Sequence, residues 1–221
     1  MKCVAVSVFL ILLLAVTGVS ASVVNSIPGG TVVPMPTVNY FGGGPQVFGP
    51  GIEWRSTNAA NICGFPAAFG FVGLADFGTN GQWTGALGPM AYLNNTSTFC
   101  GVTDSMTFKF ASPVAAVGGF LNYYPNGSGP TTISVLDALG NVIEPPYDLI
   151  FTTSGAPDTG QFWGFQEATP EIKYFVLTDN YIGITNLTTF GAAPTPEPGS
   201  LLLLGSGLIG AIGYGRRRLG L

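Results

Sequence analysis

Apolar and polar residues alternate along several short stretches of the chain. In Met106–Phe110 every second residue is apolar, and Thr107 and Lys109 lie between them. Thr131–Asp137 alternates in the same way. A period of two residues is the period of a strand with one buried face, so both segments are predicted to be β-strands.

Turn residues separate these strands. The stretch DALGN at 137–141 is typical of a hairpin, and no stretch between the two termini shows helical periodicity beyond two turns. Short strands divided by turns predict an all-β fold, as an antiparallel β-sandwich or jelly roll. The predicted strands are Gly51–Arg55, Phe69–Leu74, Met106–Phe110, Val117–Tyr124, Thr131–Asp137, Asn141–Glu144, Leu149–Thr152, Gln161–Gln166, Ile172–Thr178 and Leu187–Phe190.

The first 21 residues have the parts of a cleavable export signal. Lys2 supplies the charge, Val4–Val16 is the apolar core, and Val19-Ser20-Ala21 places small residues before a cleavage point. The apolar run is short for a membrane span, so we expect cleavage after Ala21. A membrane anchor that is retained is the alternative.

Near the C-terminus a short apolar run is followed by arginines. As a helix, Leu201–Gly215 would be ~22 Å long, against ~30 Å for the hydrocarbon core of a bilayer. Arg216–Arg218 should stay on the cytoplasmic side by the positive-inside bias. The segment is therefore expected to hold the exported protein at the inner membrane.

Together with a preceding Pro-Glu-Pro, this tail resembles the sorting signal of bacterial PEP-CTERM proteins. In that family an exosortase, a membrane-embedded cysteine protease, reads the signal and passes the protein to the cell surface or to exopolysaccharide. The resemblance implies an inner-membrane intermediate, then a location at the cell surface or in the extracellular matrix. A permanent single-pass anchor is the alternative. The residues that carry the resemblance are Pro196, Glu197 and Pro198, the apolar Leu201–Tyr214, and Arg216, Arg217 and Arg218.

The region ahead of the tail is similar to the β-sandwich modules often found in front of this signal. The stretches FASPVAAVGGFLNYY and TTISVLDALGNVIE resemble lectin-like or galactose-binding-like jelly rolls. The predicted organisation is a signal peptide at 1–21, a leader segment at 22–37, a β-sandwich domain at 38–192, and a sorting signal with its hydrophobic helix at 193–221.

Charges are scarce and unevenly placed. They make up 8% of the chain, against roughly 25% in typical soluble domains. Between Ser22 and Ser200 there are three basic and eleven acidic residues, a net charge of about −8. Nucleic-acid binding needs lysine and arginine on one face, so no nucleic-acid partner is expected.

Two cysteines remain once the signal peptide is removed, Cys63 and Cys100. An even pair in an exported chain predicts a disulfide. It would close a loop of about 38 residues and stabilise the fold by ~4 kcal/mol in the chain-entropy model. Two buried free thiols are the alternative.

The chain contains no histidine. The usual Ser-His and Cys-His catalytic pairs and the commonest zinc ligand are therefore excluded. Paired carboxylates could still serve a glycosidase, although those present fall at turn positions and are expected to be structural. These carboxylates are Glu144, Asp148, Glu167, Glu171 and Asp179.

Calcium and sugar are the two ligand classes that stay open. Calcium takes oxygen ligands from loops, but no EF-hand spacing occurs, so no cofactor is assigned. The aspartates in such loops are Asp76, Asp104, Asp137, Asp158 and Asp179. Aromatic rings can stack on sugars, and the neighbouring turns favour exposure of Trp83, Tyr123 and Tyr124. The full set of aromatic candidates is Trp54, Trp83, Trp163, Tyr123, Tyr124 and Phe165.

The leading interpretation is a non-enzymatic, exported β-sandwich that is structural or associates with carbohydrate. The alternatives are a surface polysaccharide hydrolase that uses paired carboxylates and an adhesin that stays anchored by its tail.

Overall fold

The computed structural model of the chain describes residues 22–59, 65–94, 104–127, 129–179 and 181–191. These residues form an all-β fold, with one 3-10 turn at Gly78–Asn80. The strands are β1 (Ser22–Val24), β2 (Thr31–Val32), β3 (Tyr40–Phe41), β4 (Gln46–Phe48), β5 (Ile52–Ser56), β6 (Ala68–Phe71), β7 (Ala75–Asp76), β8 (Gln82–Trp83), β9 (Met90–Tyr92), β10 (Ser105–Val114), β11 (Ala116–Tyr123), β12 (Thr132–Leu136), β13 (Val142–Asp148), β14 (Gln161–Gln166), β15 (Ile172–Thr178) and β16 (Ile182–Phe190).

The strands build two large antiparallel sheets. The eight-stranded sheet has the order β1-β14-β11-β16-β9-β6-β3, and β2 also pairs with β16. The six-stranded sheet has the order β13-β12-β15-β10-β5-β4. The predicted all-β antiparallel fold is confirmed.

The core lies between these two sheets. Phe108 and Phe175 of the six-stranded sheet share one cluster of buried side chains with Phe165 and Ile184 of the eight-stranded sheet. Each fully buried side chain of this size stabilises the fold by about 1.5–3 kcal/mol. Because both sheets contribute side chains to one core, they form a sandwich. At one edge Tyr147 of β13 packs on Trp163 of β14, with ring centroids 5.3 Å apart.

A smaller hairpin, β7–β8, covers part of the outer face of the eight-stranded sheet. Phe77 and Trp83 are fully buried there against Met90 and Tyr92. The Trp83 indole N–H donates to the Thr159 carbonyl oxygen at 2.6 Å. The central strands of this sheet are therefore buried on both faces, which explains why all three residues of β9 are apolar and buried.

Residues 22–37, predicted as a leader segment, pack as part of the sandwich. They supply β1 and β2 to the eight-stranded sheet, and Val33 and Met35 lie in the core. The predicted strand Leu149–Thr152 is wrong. Leu149 and Phe151 point into the core and Ile150 points to solvent, but the segment has no partner strand and forms a loop.

Candidate functional site

The outer face of the six-stranded sheet collects the cationic side chains of the body. Alternation along β10 buries Met106, Phe108 and Phe110 and turns Lys109 outward. The neighbouring strands β5 and β15 add Arg55 and Lys173. We call Arg55, Lys109, Lys173 and the adjacent Tyr174 the cationic face.

Strand register fixes the spacing on this face. Lys109 is paired with Glu53 on β5 and with Tyr174 on β15. The Arg55 Nε donates to the Glu53 carboxylate, and the Lys173 Nζ donates to the Ala111 carbonyl oxygen at 2.7 Å. Glu53 and Lys109 together line two adjoining shallow grooves of about 230 and 350 Å³.

The local charge of the cationic face is opposite to that of the body. Three cations and Glu53 give a local charge of about +2, whereas residues 22–200 carry about −8. The hydrogen bond from Arg55 lowers the pKa of Glu53, and the charges of Arg55 and Lys109 act in the same direction. Glu53 therefore stays ionised and orients Arg55, while Lys109 and Tyr174 remain beside the groove for an anionic ligand.

A third groove, of about 380 Å³, lies at the end of β11. Tyr124 and Asp148 line it together with Ile150, whose side chain is 85% exposed. The Tyr124 ring packs over Gly78, where a β-carbon would collide with it, and lies 6.2 Å from the Tyr181 ring. We call this cavity the Tyr124 groove.

Most of the aromatic candidates are core residues. Trp54, Trp83 and Phe165 are fully buried, and Tyr123 is 5% exposed. The expected exposure of Trp83 and Tyr123 is therefore wrong, because the β7–β8 hairpin covers the first and the second faces the inter-sheet core. Tyr124 and Trp163 are the two half-buried members of the set.

The candidate carboxylates divide into exposed and buried groups. Glu144 lies within β13 rather than in a turn, and Glu171 accepts a hydrogen bond from Thr169 at 2.6 Å. Glu167 is only 5% exposed, and its Oε1 has no hydrogen-bond partner. Burial, together with the charges of Glu171 and Glu144, raises the pKa of Glu167 to about 7.

Asp179 and Asp148 complete this set. Asp179, predicted at a turn, is 2% exposed and accepts a hydrogen bond from the Thr131 hydroxyl. Asp148 is exposed at the end of β13 and lines the Tyr124 groove. Of the candidate carboxylates, the structure brings Glu144, Glu167 and Glu171 within electrostatic range of one another.

The loop aspartates bond within the fold. Asp137 accepts from the backbone of Leu139 and Asn141, and hydrogen bonds from Asn141 lower its pKa. Asp158 accepts from Thr84 at 2.7 Å, and Asp104 accepts from the Thr57 hydroxyl at 3.2 Å. Asp76 accepts from Gly78. Among the described residues, no three Asp, Glu, Cys or His side chains group to hold a metal ion.

The C-terminal region matches a known family of sorting motifs. A family model, the PEP-CTERM protein-sorting motif, matches residues 194–218. The chain carries a PEP-CTERM protein-sorting motif. No curated protein and no solved structure matches it. The matched motif indicates that the protein is exported, processed by an exosortase at the membrane, and sorted to the cell surface.

Several predicted features of the chain lie outside the described residues. They are the signal peptide, the Cys63–Cys100 pair, the Pro196-Glu197-Pro198 motif, the hydrophobic helix and Arg216–Arg218. Each stays a prediction. Within the described ranges, no helix has the length and apolar character needed to cross a membrane.

Sequence reasoning missed the cationic face. The outward position of Lys109 was predicted from alternation, but its meeting with Arg55 and Lys173 depends on the strand order β5-β10-β15. Tyr174 was not singled out. The sequence signal that could have pointed to this face is the small number of basic residues. The body has three, and all three lie on this face.

Proposed function

We propose that the body of this surface-sorted protein is a non-catalytic module that associates with acidic polysaccharide through the cationic face. The polysaccharide would be the exopolysaccharide among which the sorted protein resides. The observation that supports the proposal is the placement of Arg55, Lys109 and Lys173, the three cations of the body, around the same two grooves.

The chemistry of the face suits a chain of sugar acids. Lysine and arginine bind carboxylate groups by charge-assisted hydrogen bonds. The Tyr174 ring lines the same groove as Arg55 and Lys109 and can pack against the apolar face of a sugar ring. Exposed ion pairs each contribute only about 0.2–1 kcal/mol, so binding at one site is expected to be weak and salt-sensitive.

Co-sedimentation of the mature protein with polygalacturonate, a polymer of acidic sugars, tests the proposal. Lys109→Gln removes one charge from the middle of the face without changing the fold, and it should weaken binding about two- to fivefold. Tyr124→Ala is the control, because it alters the Tyr124 groove and leaves every cation in place. Loss of binding in Tyr124→Ala alone would assign the ligand to the Tyr124 groove and contradict the proposal.

A surface polysaccharide hydrolase is the second candidate, favoured by one observation. A pKa near 7 at Glu167 is the property required of a general acid in a glycosidase. The burial of Glu167 favours a non-catalytic body. Single replacement of Glu144, Glu167 and Glu171 by glutamine tests this candidate. The hydrolase would be favoured if the mature protein releases reducing sugar and any one of these replacements abolishes that release.

A further inference from the structure

The first described strand, β1, contains Ser22, the residue that follows the predicted cleavage point. Ser22 pairs with Gln166 and Val23 pairs with Phe165, so β1 forms the edge of the eight-stranded sheet. The pairing of Ser22 with Gln166 places the backbone nitrogen of Ser22 at the end of β1 that is nearer Glu167. Cleavage after Ala21 would turn that nitrogen into a free α-amino group.

Glu167 lacks a partner of opposite charge among the groups that act on it. It continues the inward-facing row of β14, after Trp163 and Phe165, and its Oε1 is buried without a hydrogen bond. The charged groups that face it are Glu171, from the loop before β15, and Glu144, from β13, and both are acidic. An unpaired buried carboxylate destabilises the fold, so a cation at this position would stabilise it.

We propose that the buried carboxylate of Glu167 is the docking site for the α-ammonium group that signal-peptide removal creates at Ser22. The ion pair would stabilise the pairing of β1 with β14 at the edge of the sheet, and only in the processed protein. The proposal rests on cleavage after Ala21. It is independent of any ligand of the cationic face.

The ion pair has a defined pH dependence. With an amide at Ser22, the pKa of Glu167 is about 7, above its usual 4.5. The protonated Glu167 carboxyl therefore stabilises the fold below pH 4.5, and this contribution is lost as the pH rises to about 7. With an ammonium at Ser22, the carboxylate stays ionised and the amine pKa is raised. The ion pair then stabilises the fold near neutral pH, and its contribution is lost as the pH rises through the raised amine pKa.

The experiment compares two mature proteins purified from the host. One is the natural chain, and the other has Ser-Gly-Ser inserted between Ala21 and Ser22, which moves the amino group by up to about 10 Å. Mass spectrometry verifies each N-terminus, and urea unfolding is measured from about pH 5 to about pH 10. Each form is also prepared with Glu167→Gln, and with Glu53→Gln as a matched control on the other face of the molecule.

At about pH 7 the insertion should raise the unfolding equilibrium constant about tenfold in the natural background and in Glu53→Gln. It should have no effect in Glu167→Gln or above the amine pKa. A direct titration of the α-amine, by the pH dependence of its acylation rate, should give a raised pKa that Glu167→Gln returns to about 8. Equal effects in all three backgrounds, no effect in any, or a mature protein that begins at another residue would overturn the proposal.

Discussion

Lys109 and Glu53 lie directly opposite each other on β10 and β5, on the outer face of the six-stranded sheet. Arg55 bonds the same carboxylate, so one anion partly neutralises two of the three cations on this face. The affinity of the cationic face for an anion should therefore depend on Glu53 as much as on the cations.

Replacement of Glu53 by glutamine should tighten binding to acidic polysaccharide. The change removes the competing carboxylate and leaves Lys109 and Arg55 in place, so the affinity should rise about two- to fivefold at low salt. Lys109→Gln should shift it by a similar factor in the opposite direction. Isothermal titration with acidic oligosaccharides measures both effects, and a shift of the same sign in both variants would contradict the assignment.

Two buried tryptophans should respond differently to removal of the indole N–H. Trp83 and Trp54 are both fully buried, but the Trp83 N–H is bonded to Thr159 whereas the Trp54 N–H has no partner. Trp83→Phe should therefore destabilise the protein by about 1–2 kcal/mol more than Trp54→Phe. Urea denaturation measures the difference, and an equal or larger loss in Trp54→Phe would be inconsistent with these hydrogen bonds.

Gly164 should not tolerate a side chain. It pairs with Gly118 across β14 and β11, and a β-carbon on it would collide with the Val117 carbonyl oxygen. Gly164→Ala should cost about 1–3 kcal/mol or more, because the two strands must separate locally. Gly127→Ala is the control, since its nearest neighbour would be 3.4 Å away and the expected change is within about 0.5 kcal/mol. Thermal unfolding that ranks them in reverse order would contradict the strand packing.

Processing of the tail should depend on the sorting motif. Glu197 lies within the matched residues 194–218, so Glu197→Ala should leave the tail uncut and the protein at the inner membrane. Intact mass of the protein from membrane and outer fractions measures this, with an exosortase-deficient host as reference. Unchanged mass and location in Glu197→Ala would contradict recognition through this residue, and a wild-type mass that includes Leu201–Leu221 would favour the anchored adhesin.

The fold was predictable where the signal was local. Gln161–Gln166 and Ile172–Thr178 form strands with the predicted bounds, because a short apolar run bounded by turns is a property of the segment itself. Strand β1 was missed because its partner, β14, is about 140 residues away along the chain. Leu149–Thr152 shows the converse case, since it is a short apolar run but has no partner strand.

The candidate site was less predictable than the fold. Trp83 was expected near the surface because turn residues flank it, but the β7–β8 hairpin folds back over the sheet and buries it. The cationic face depends on three strands that are far apart in sequence and adjacent in space. Alternation gives the direction of each cation, and only the strand order brings the cations together.

The most direct test of the account is the affinity of the mature protein for two forms of one polysaccharide. Polygalacturonate and its fully methyl-esterified form have the same sugar backbone, but only the first is charged. If the cationic face binds acidic polysaccharide, the protein should bind the acidic form, binding should weaken steeply as salt rises from about 0.01 to about 0.15 M, and binding to the ester should be slight. Equal, salt-independent binding to both forms, or none to either, would contradict a role for the cationic face.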